Sequence, residues 1–134
     1  MCLAVYLASD SPLPLVEWNE EHPRFNVVPI TKNEMAVKKQ FRHPNVVYAG
    51  SHQGCGCGFF KDGETGEDLM LVQANYDSLV RYLSELITYG ANIEIFSCWE
   101  GDQGSEPETK QRLSLATLGS ESFEFEEKVY YEIA

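Results

Sequence analysis

The sequence predicts an α+β fold in which one main amphipathic helix packs on a mostly antiparallel sheet. Several short apolar segments separated by Gly- and Pro-containing turns indicate strands, and one segment, residues 75–89, has the apolar spacing of a long helix. Of the 134 residues, 43% are hydrophobic and 12% aromatic, which is enough to form a core. Because no linker or repeat interrupts the pattern, we expect a single domain spanning residues 1–134.

The N-terminal half contains three predicted strands and one ambiguous segment. The strands are apolar and rich in β-branched or aromatic residues: residues 2–8, 25–30 and 45–49. Pro29 lacks an N–H to donate, so the second strand belongs at an edge or an end. Residues 33–42 fit either a strand or a short helix capped by Asn33.

The helix over residues 75–89 has the clearest periodicity in the chain. Its apolar stripe consists of Tyr76, Leu79, Val80, Leu83, Leu86 and Ile87. Asn75 or Asp77 can cap its start, and Gly90 suits the left-handed residue that ends many helices. Because the periodicity continues backwards, the helix could begin near Glu67.

The C-terminal part alternates between predicted strands and polar connections. Residues 92–98 alternate as a strand does, whereas residues 102–111 are acidic and contain Gly and Pro, as loops do. Residues 113–118 fit a short helical turn or a strand. Residues 123–126 and 129–133 are expected to pair as two terminal strands.

Charge excludes several classes of partner. The net charge is −11, and residues 62–134 carry sixteen acidic against four basic residues. Such a surface repels phosphate, so we expect neither nucleic acid nor a membrane as partner. A basic protein or a second copy of the chain remains a candidate partner for the acidic half. The N-terminal residues lack a basic leader and no apolar run is long enough to cross a bilayer, which favours a cytoplasmic location.

Residues 51–58, which we call the Gly/Cys loop, have the most unusual composition. The segment reads Ser-His-Gln-Gly-Cys-Gly-Cys-Gly and contains two of the four cysteines. In a reducing compartment such cysteines are more often free, metal-bound or redox-active than part of a disulfide framework. The glycines allow a backbone path that presents sulfur atoms at one site.

Clustered soft ligands favour a zinc site, structural or regulatory, as the leading interpretation. Zinc prefers thiolate and imidazole ligands about 2.3 and 2.0 Å from the metal. His52, Cys55 and Cys57 supply three such ligands within six residues. Cys98 follows a predicted strand and is the natural fourth ligand, and Cys2, at the start of another strand, is held in reserve.

Other roles for the loop stay open. Cys55 and Cys57 could form a strained, readily reduced disulfide, or one of them could act as a nucleophile with His52 as base. Cys2 could itself become an N-terminal nucleophile if Met1 is removed. The simplest alternative is that the glycines only build a tight turn and the thiols only fill space.

Three segments together resemble a small group of uncharacterised bacterial proteins. They are Tyr48–Ser51, Gly54–Phe59 and Cys98–Asp102, the last two reading GCGCGF and CWEGD. The resemblance covers roughly residues 45–102. It implies a single α+β domain and carries no known activity.

Overall fold

A six-stranded sheet in the order β2-β3-β1-β4-β6-β5 forms the centre of the protein. The computed structural model describes residues 2–134. Its strands are β1 (Leu3–Ser9), β2 (Asn26–Pro29), β3 (Asn45–Gly50), β4 (Ile93–Trp99), β5 (Thr109–Leu113) and β6 (Val129–Ile133). Neighbouring strands are antiparallel, except that β5 and β6 are parallel. The predicted α+β class is confirmed, with a mixed sheet.

Strands β1 and β4 lie at the centre because both of their faces are buried and mostly apolar. Every residue of β1 is buried, and so is every residue of β4 before Trp99. Successive side chains of a strand point to opposite faces, so each of these strands supplies two hydrophobic layers. On β1, Leu3, Val5 and Leu7 belong to one core cluster, whereas Ala4 and Tyr6 belong to the other.

The first face is covered by the main helix, α1 (Gly66–Thr88). Its buried apolar residues recur with helical spacing: Val72, Tyr76, Leu79 and Leu83. They pack with the β1 side chains of the same core cluster. Glu67 and Asp68 in the first turn suit the positive end of the helix dipole. The second helix, α2 (Leu115–Leu118), is a short turn before β6.

The opposite face is covered by a 3₁₀ helix, Lys32–Gln40, in the segment where the sequence left helix and strand open. Its buried residue is Val37, which packs with Tyr6 and Phe96. The helix begins after Thr31, whose backbone N–H donates to the Glu34 carboxylate at 2.8 Å, and not after Asn33.

Three local predictions are wrong for identifiable reasons. Asn75 does not cap α1, because the helix begins after Thr65 and Asn75 lies inside it. The Asn75 side chain instead accepts from the backbone N–H of His52. Residues 109–113, within and just beyond the predicted loop, form β5. Its side chains before Leu113 are exposed and therefore show no apolar alternation. Residues 123–126 form no strand, since Phe123 and Phe125 instead pack their rings on Tyr76.

Antiparallel order brings the start of β1 next to the ends of β3 and β4. Val5 pairs with Ala49 and Leu3 with Trp99, so the chain after β3 and the chain after β4 both lie beside residue 2. Within residues 2–134, no helix is both long and apolar enough to cross a bilayer.

Candidate metal centre

The Gly/Cys loop lies at the edge of the sheet where β1 begins. Its second half is a single 3₁₀ turn, Gly56–Phe59. On the other side of residue 2, the backbone N–H of Glu100 donates to the Cys2 carbonyl at 2.8 Å. Cys2 is therefore held between the loop that follows β3 and the turn that follows β4.

Ser51 fixes the path of the loop. It is completely buried, and its hydroxyl donates to the Cys55 carbonyl at 2.6 Å. The same oxygen accepts from the backbone N–H groups of Gln53 at 3.1 Å and Gly58 at 3.0 Å. A further bond joins the Ser51 N–H to the Cys55 carbonyl at 2.9 Å. One buried side chain thus satisfies several backbone groups that the turn leaves without partners.

Two glycines of the loop face inward, where no side chain fits. A Cβ on Gly56 would lie 2.2 Å from the Leu3 carbonyl oxygen, and one on Gly58 would lie 2.2 Å from the Ser51 hydroxyl. Both glycines are buried, whereas Cys55 and Cys57 are half-buried. Alternation of Gly and Cys therefore turns the backbone inward at one residue and exposes a thiol at the next.

Three thiols converge at this edge. The Sγ atoms of Cys2, Cys55 and Cys57 all lie within 4.8 Å of one another, and all three residues are half-buried. Sulfur ligands of a tetrahedral zinc ion at about 2.3 Å from the metal are about 3.8 Å apart. The three sulfurs are thus already close to the separation that a common metal ion requires.

The neighbouring thiols affect the ionisation of Cys2. The pKa of Cys2 is raised above its ordinary value, first by its hydrogen bond with Cys57 and then by the charge of Cys57 and by burial. A negative charge on one thiol disfavours a second negative charge beside it. A metal ion bound between the sulfur atoms would offset that repulsion and displace thiol protons.

His52 connects the loop to α1 and does not belong to the thiol group. Its backbone N–H donates to Oδ1 of Asn75 at 3.0 Å, which fixes the orientation of that amide. Asn75 Nδ2 then donates to His52 Nδ1 at 2.8 Å and to the Gly58 carbonyl at 3.0 Å. Because Nδ1 is the acceptor, the neutral imidazole carries its proton on Nε2.

Cys98 also lies apart from the three thiols. It pairs with Ala4 in the register of β1 and β4, two residues along the strand from Cys2, which corresponds to about 7 Å. Its side chain is completely buried in the cluster that contains Tyr6 and Phe96. Burial raises the pKa of the Cys98 thiol to about 12.

Of the ligands expected from the sequence, the structure thus brings Cys55 and Cys57 together and adds Cys2, the reserve candidate. Cys55 and Cys57 could be predicted as neighbours because they are close together in the sequence. Cys2 can be predicted as a member of this group only if β1 and β3 are known to be neighbours. Strand order, which decides this, leaves no local signal in a single sequence.

A cavity of about 550 Å³ opens beside the thiol group. Its wall includes Pro29, Glu34, Tyr48, Cys55, Glu100 and Gln103. Cys55 belongs both to the thiol group and to this wall, so a metal ion bound by the thiols would lie next to the cavity.

Comparison with protein-family models, with curated proteins and with solved structures gave no match. The site's own geometry must therefore support any functional assignment.

Proposed function

We propose that the protein is a metal-binding protein in which Cys2, Cys55 and Cys57 hold a zinc ion through three thiolates. The observation that supports it is the convergence of three half-buried sulfur atoms within 4.8 Å of one another. Three thiolates form a soft ligand set, for which Zn²⁺ is a common and redox-inert partner.

Side chains and backbone groups of the protein hold the loop in the shape that brings the thiols together. Ser51 and Asn75 fix the loop through side-chain bonds to its backbone, and Gly56 brings it against β1. Protein contacts that order the ligands would reduce the entropy cost of binding a metal ion.

Three protein ligands leave the fourth position of a tetrahedral ion for water or another ligand. Such an open position is typical of catalytic and regulatory zinc, whereas structural zinc has four protein ligands. The sequence-based alternative, in which His52 and Cys98 complete a closed site, requires both side chains to leave their present positions. His52 would lose its bond with Asn75, and Cys98 would leave the core.

Native and denaturing mass spectra, together with zinc competition, test the proposal. We expect wild-type protein to bind one zinc ion that is lost on denaturation. Replacing any one of Cys2, Cys55 and Cys57 by Ser should weaken zinc binding by more than about 100-fold. A loss of about 100-fold is the largest typically caused by mutating residues that do not contact the metal. The matched control Cys98→Ser and the variant His52→Ala should retain zinc binding, provided that both remain folded.

Other outcomes would overturn the proposal. Protein that takes up no zinc and keeps the same melting temperature with zinc or with chelator has no such site. A metal-free mass lighter by two protons, which dithiothreitol restores, would instead assign the thiols to a reversible disulfide. Loss of zinc in the Cys98→Ser or His52→Ala variant while it stays folded would restore the ligand set expected from the sequence.

A further inference from the structure

We propose that the cavity beside the thiol group binds a small organic ammonium ion that also carries an oxygen atom able to accept a hydrogen bond. The proposal goes beyond the zinc site and does not depend on it, because the groups that would recognise the amine belong to the protein. A volume of about 550 Å³ lies within the range of small-molecule sites.

The charge of the cavity selects a cation. Glu34 and Glu100 both line it, and among the residues that the structure describes no Lys, Arg or His does. Transferring an ion from water into a cavity costs free energy unless an opposite charge compensates for the lost hydration. Two carboxylates provide that compensation for an ammonium ion and repel a phosphate or a carboxylate.

A network of hydrogen bonds holds one of these carboxylates in place. Glu34 accepts from the Thr31 N–H at 2.8 Å and from the hydroxyl of Tyr6. Tyr6 in turn accepts from Gln103 Nε2 at 3.1 Å. Since a carboxylate offers about four acceptor sites, Glu34 retains capacity for an ammonium N–H after these two bonds. Its charge is therefore positioned before a ligand arrives.

Tyr48 supplies the reason to expect an acceptor oxygen on the ligand. Its side chain lines the cavity and is only 8% exposed. The Tyr48 oxygen accepts from the Gly56 N–H at 2.9 Å, and within residues 2–134 no acceptor takes its own proton. A buried hydroxyl normally uses its proton as well, so a ligand oxygen in the cavity would complete its bonding.

Ethanolamine, ethylene glycol and glycolate form a matched set of probes, because they share a two-carbon frame and differ in charge. We would titrate each into isotopically labelled protein and follow amide shifts by NMR, first with chelator present and then with zinc bound. We expect saturable shifts with ethanolamine at amides on the cavity wall, such as Gly54 and Gly101. Ethylene glycol and glycolate should give none.

Glu100→Gln is the variant of choice, because the Glu100 side chain is exposed and makes no side-chain hydrogen bond within the described residues. We expect it to weaken ethanolamine binding about fivefold, the effect of losing one partly exposed ion pair. The control Glu85→Gln removes the same charge from α1, which covers the opposite face of the sheet. It should leave ethanolamine binding unchanged.

Several results would overturn the proposal. They are shifts that do not saturate, equal binding of ethylene glycol, or equal weakening by Glu85→Gln. Ethanolamine binding that appears only in the zinc-loaded protein would also contradict it, since the amine would then be a metal ligand. Because the first titration uses metal-free protein, failure of the zinc site leaves this test intact.

Discussion

At the scale of single residues, glycine and cysteine in the loop have complementary roles. Gly56 and Gly58 lie where the backbone meets Leu3 and Ser51, and Cys55 and Cys57 lie where it turns outward. The composition alone predicted a special backbone path and clustered thiols. It could not show which residues face inward, because that depends on the strand against which the loop packs.

The contact of Gly56 with β1 gives a direct prediction. In Gly56→Ala the added methyl group would lie 2.2 Å from the Leu3 carbonyl oxygen, so the backbone must shift. We expect the free energy of unfolding, measured in urea, to fall by about 1–3 kcal/mol, and zinc binding to weaken because Cys55 and Cys57 move.

Gly104→Ala is the matched control. A Cβ at Gly104 meets only side-chain atoms of Ala36 and Lys39, at 3.3 Å and beyond. If Gly56→Ala proved as stable as Gly104→Ala and bound zinc equally well, the close approach of the loop to β1 would not matter for the site.

Thiol reactivity distinguishes the four cysteines. Cys98 is buried, with its pKa raised to about 12, so almost none of it is thiolate at neutral pH. In folded, metal-free protein we expect iodoacetamide to label the three half-buried cysteines and to spare Cys98, as read by peptide mass mapping. Zinc should protect those three thiols from labelling. Labelling of Cys98 at a rate equal to that of Cys55 would contradict its place in the core.

At the scale of elements, one buried carboxylate connects β4 to the segment after the 3₁₀ helix. Glu94 is completely buried on β4, and its carboxylate accepts from the N–H groups of Arg42 at 3.1 Å and His43 at 3.0 Å. The Tyr130 hydroxyl donates to it as well. These bonds satisfy a charge that would otherwise be costly to bury. They also fix the end of the layer that covers the cavity face of the sheet.

Glu94→Gln tests this connection. An amide places an NH₂ group where a carboxylate oxygen accepts N–H or O–H donors, and leaves one of them without a partner. We expect a loss of about 1–3 kcal/mol in the free energy of unfolding, measured by urea denaturation. Glu85→Gln, on the exposed side of α1, should change it by less than about 0.5 kcal/mol. Equal effects would show that Glu94 has no special structural role.

A second connection joins the end of β1 to the start of β4 and depends on pH. Asp10 accepts from the Asn92 N–H at 2.9 Å and from Asn92 Nδ2 at 2.7 Å, and these bonds lower its pKa to about 2. An unfolded Asp titrates near pH 3.9, so its ionised form stabilises the fold above about pH 4. That contribution is lost as pH falls from about 4 through the folded pKa of about 2.

We therefore expect wild type to melt at a higher temperature than Asp10→Asn at neutral pH, with the difference shrinking below about pH 4. Thermal melts at a series of pH values measure this. A difference that stays constant down to pH 2 would show that the ionisation of Asp10 does not contribute.

The elements that could be predicted best from the sequence have one face in the core and the other in solvent. The apolar stripe of α1 follows directly from the sequence, and its extension back to Glu67 is confirmed within one residue. The assignment of Asn75 as a cap was wrong because its amide serves the loop and not its own helix. Strand β5 was missed because its pairing uses backbone groups and leaves polar side chains outside.

At the scale of the whole molecule, strand order brings the three thiols together. Cys2 and the Gly/Cys loop are about fifty residues apart in sequence and meet only because β3 lies antiparallel to β1. Cys98 lies on β4, which is adjacent to β1, and faces the same side of the sheet as Cys2. It pairs with Ala4, so it lies too far from the end of the sheet to join the three thiols. Sequence reasoning predicted that Cys55 and Cys57 lie together, and it could not place Cys2 beside them without this topology.

X-ray absorption at the zinc edge of zinc-loaded protein tests the central claim most directly. We expect three sulfur neighbours at about 2.3 Å and one lighter neighbour near 2.0 Å. The same measurement on Cys2→Ser should show two sulfur neighbours. A wild-type spectrum without sulfur, or a Cys2→Ser spectrum that still shows three sulfur neighbours, would contradict a centre formed by Cys2, Cys55 and Cys57.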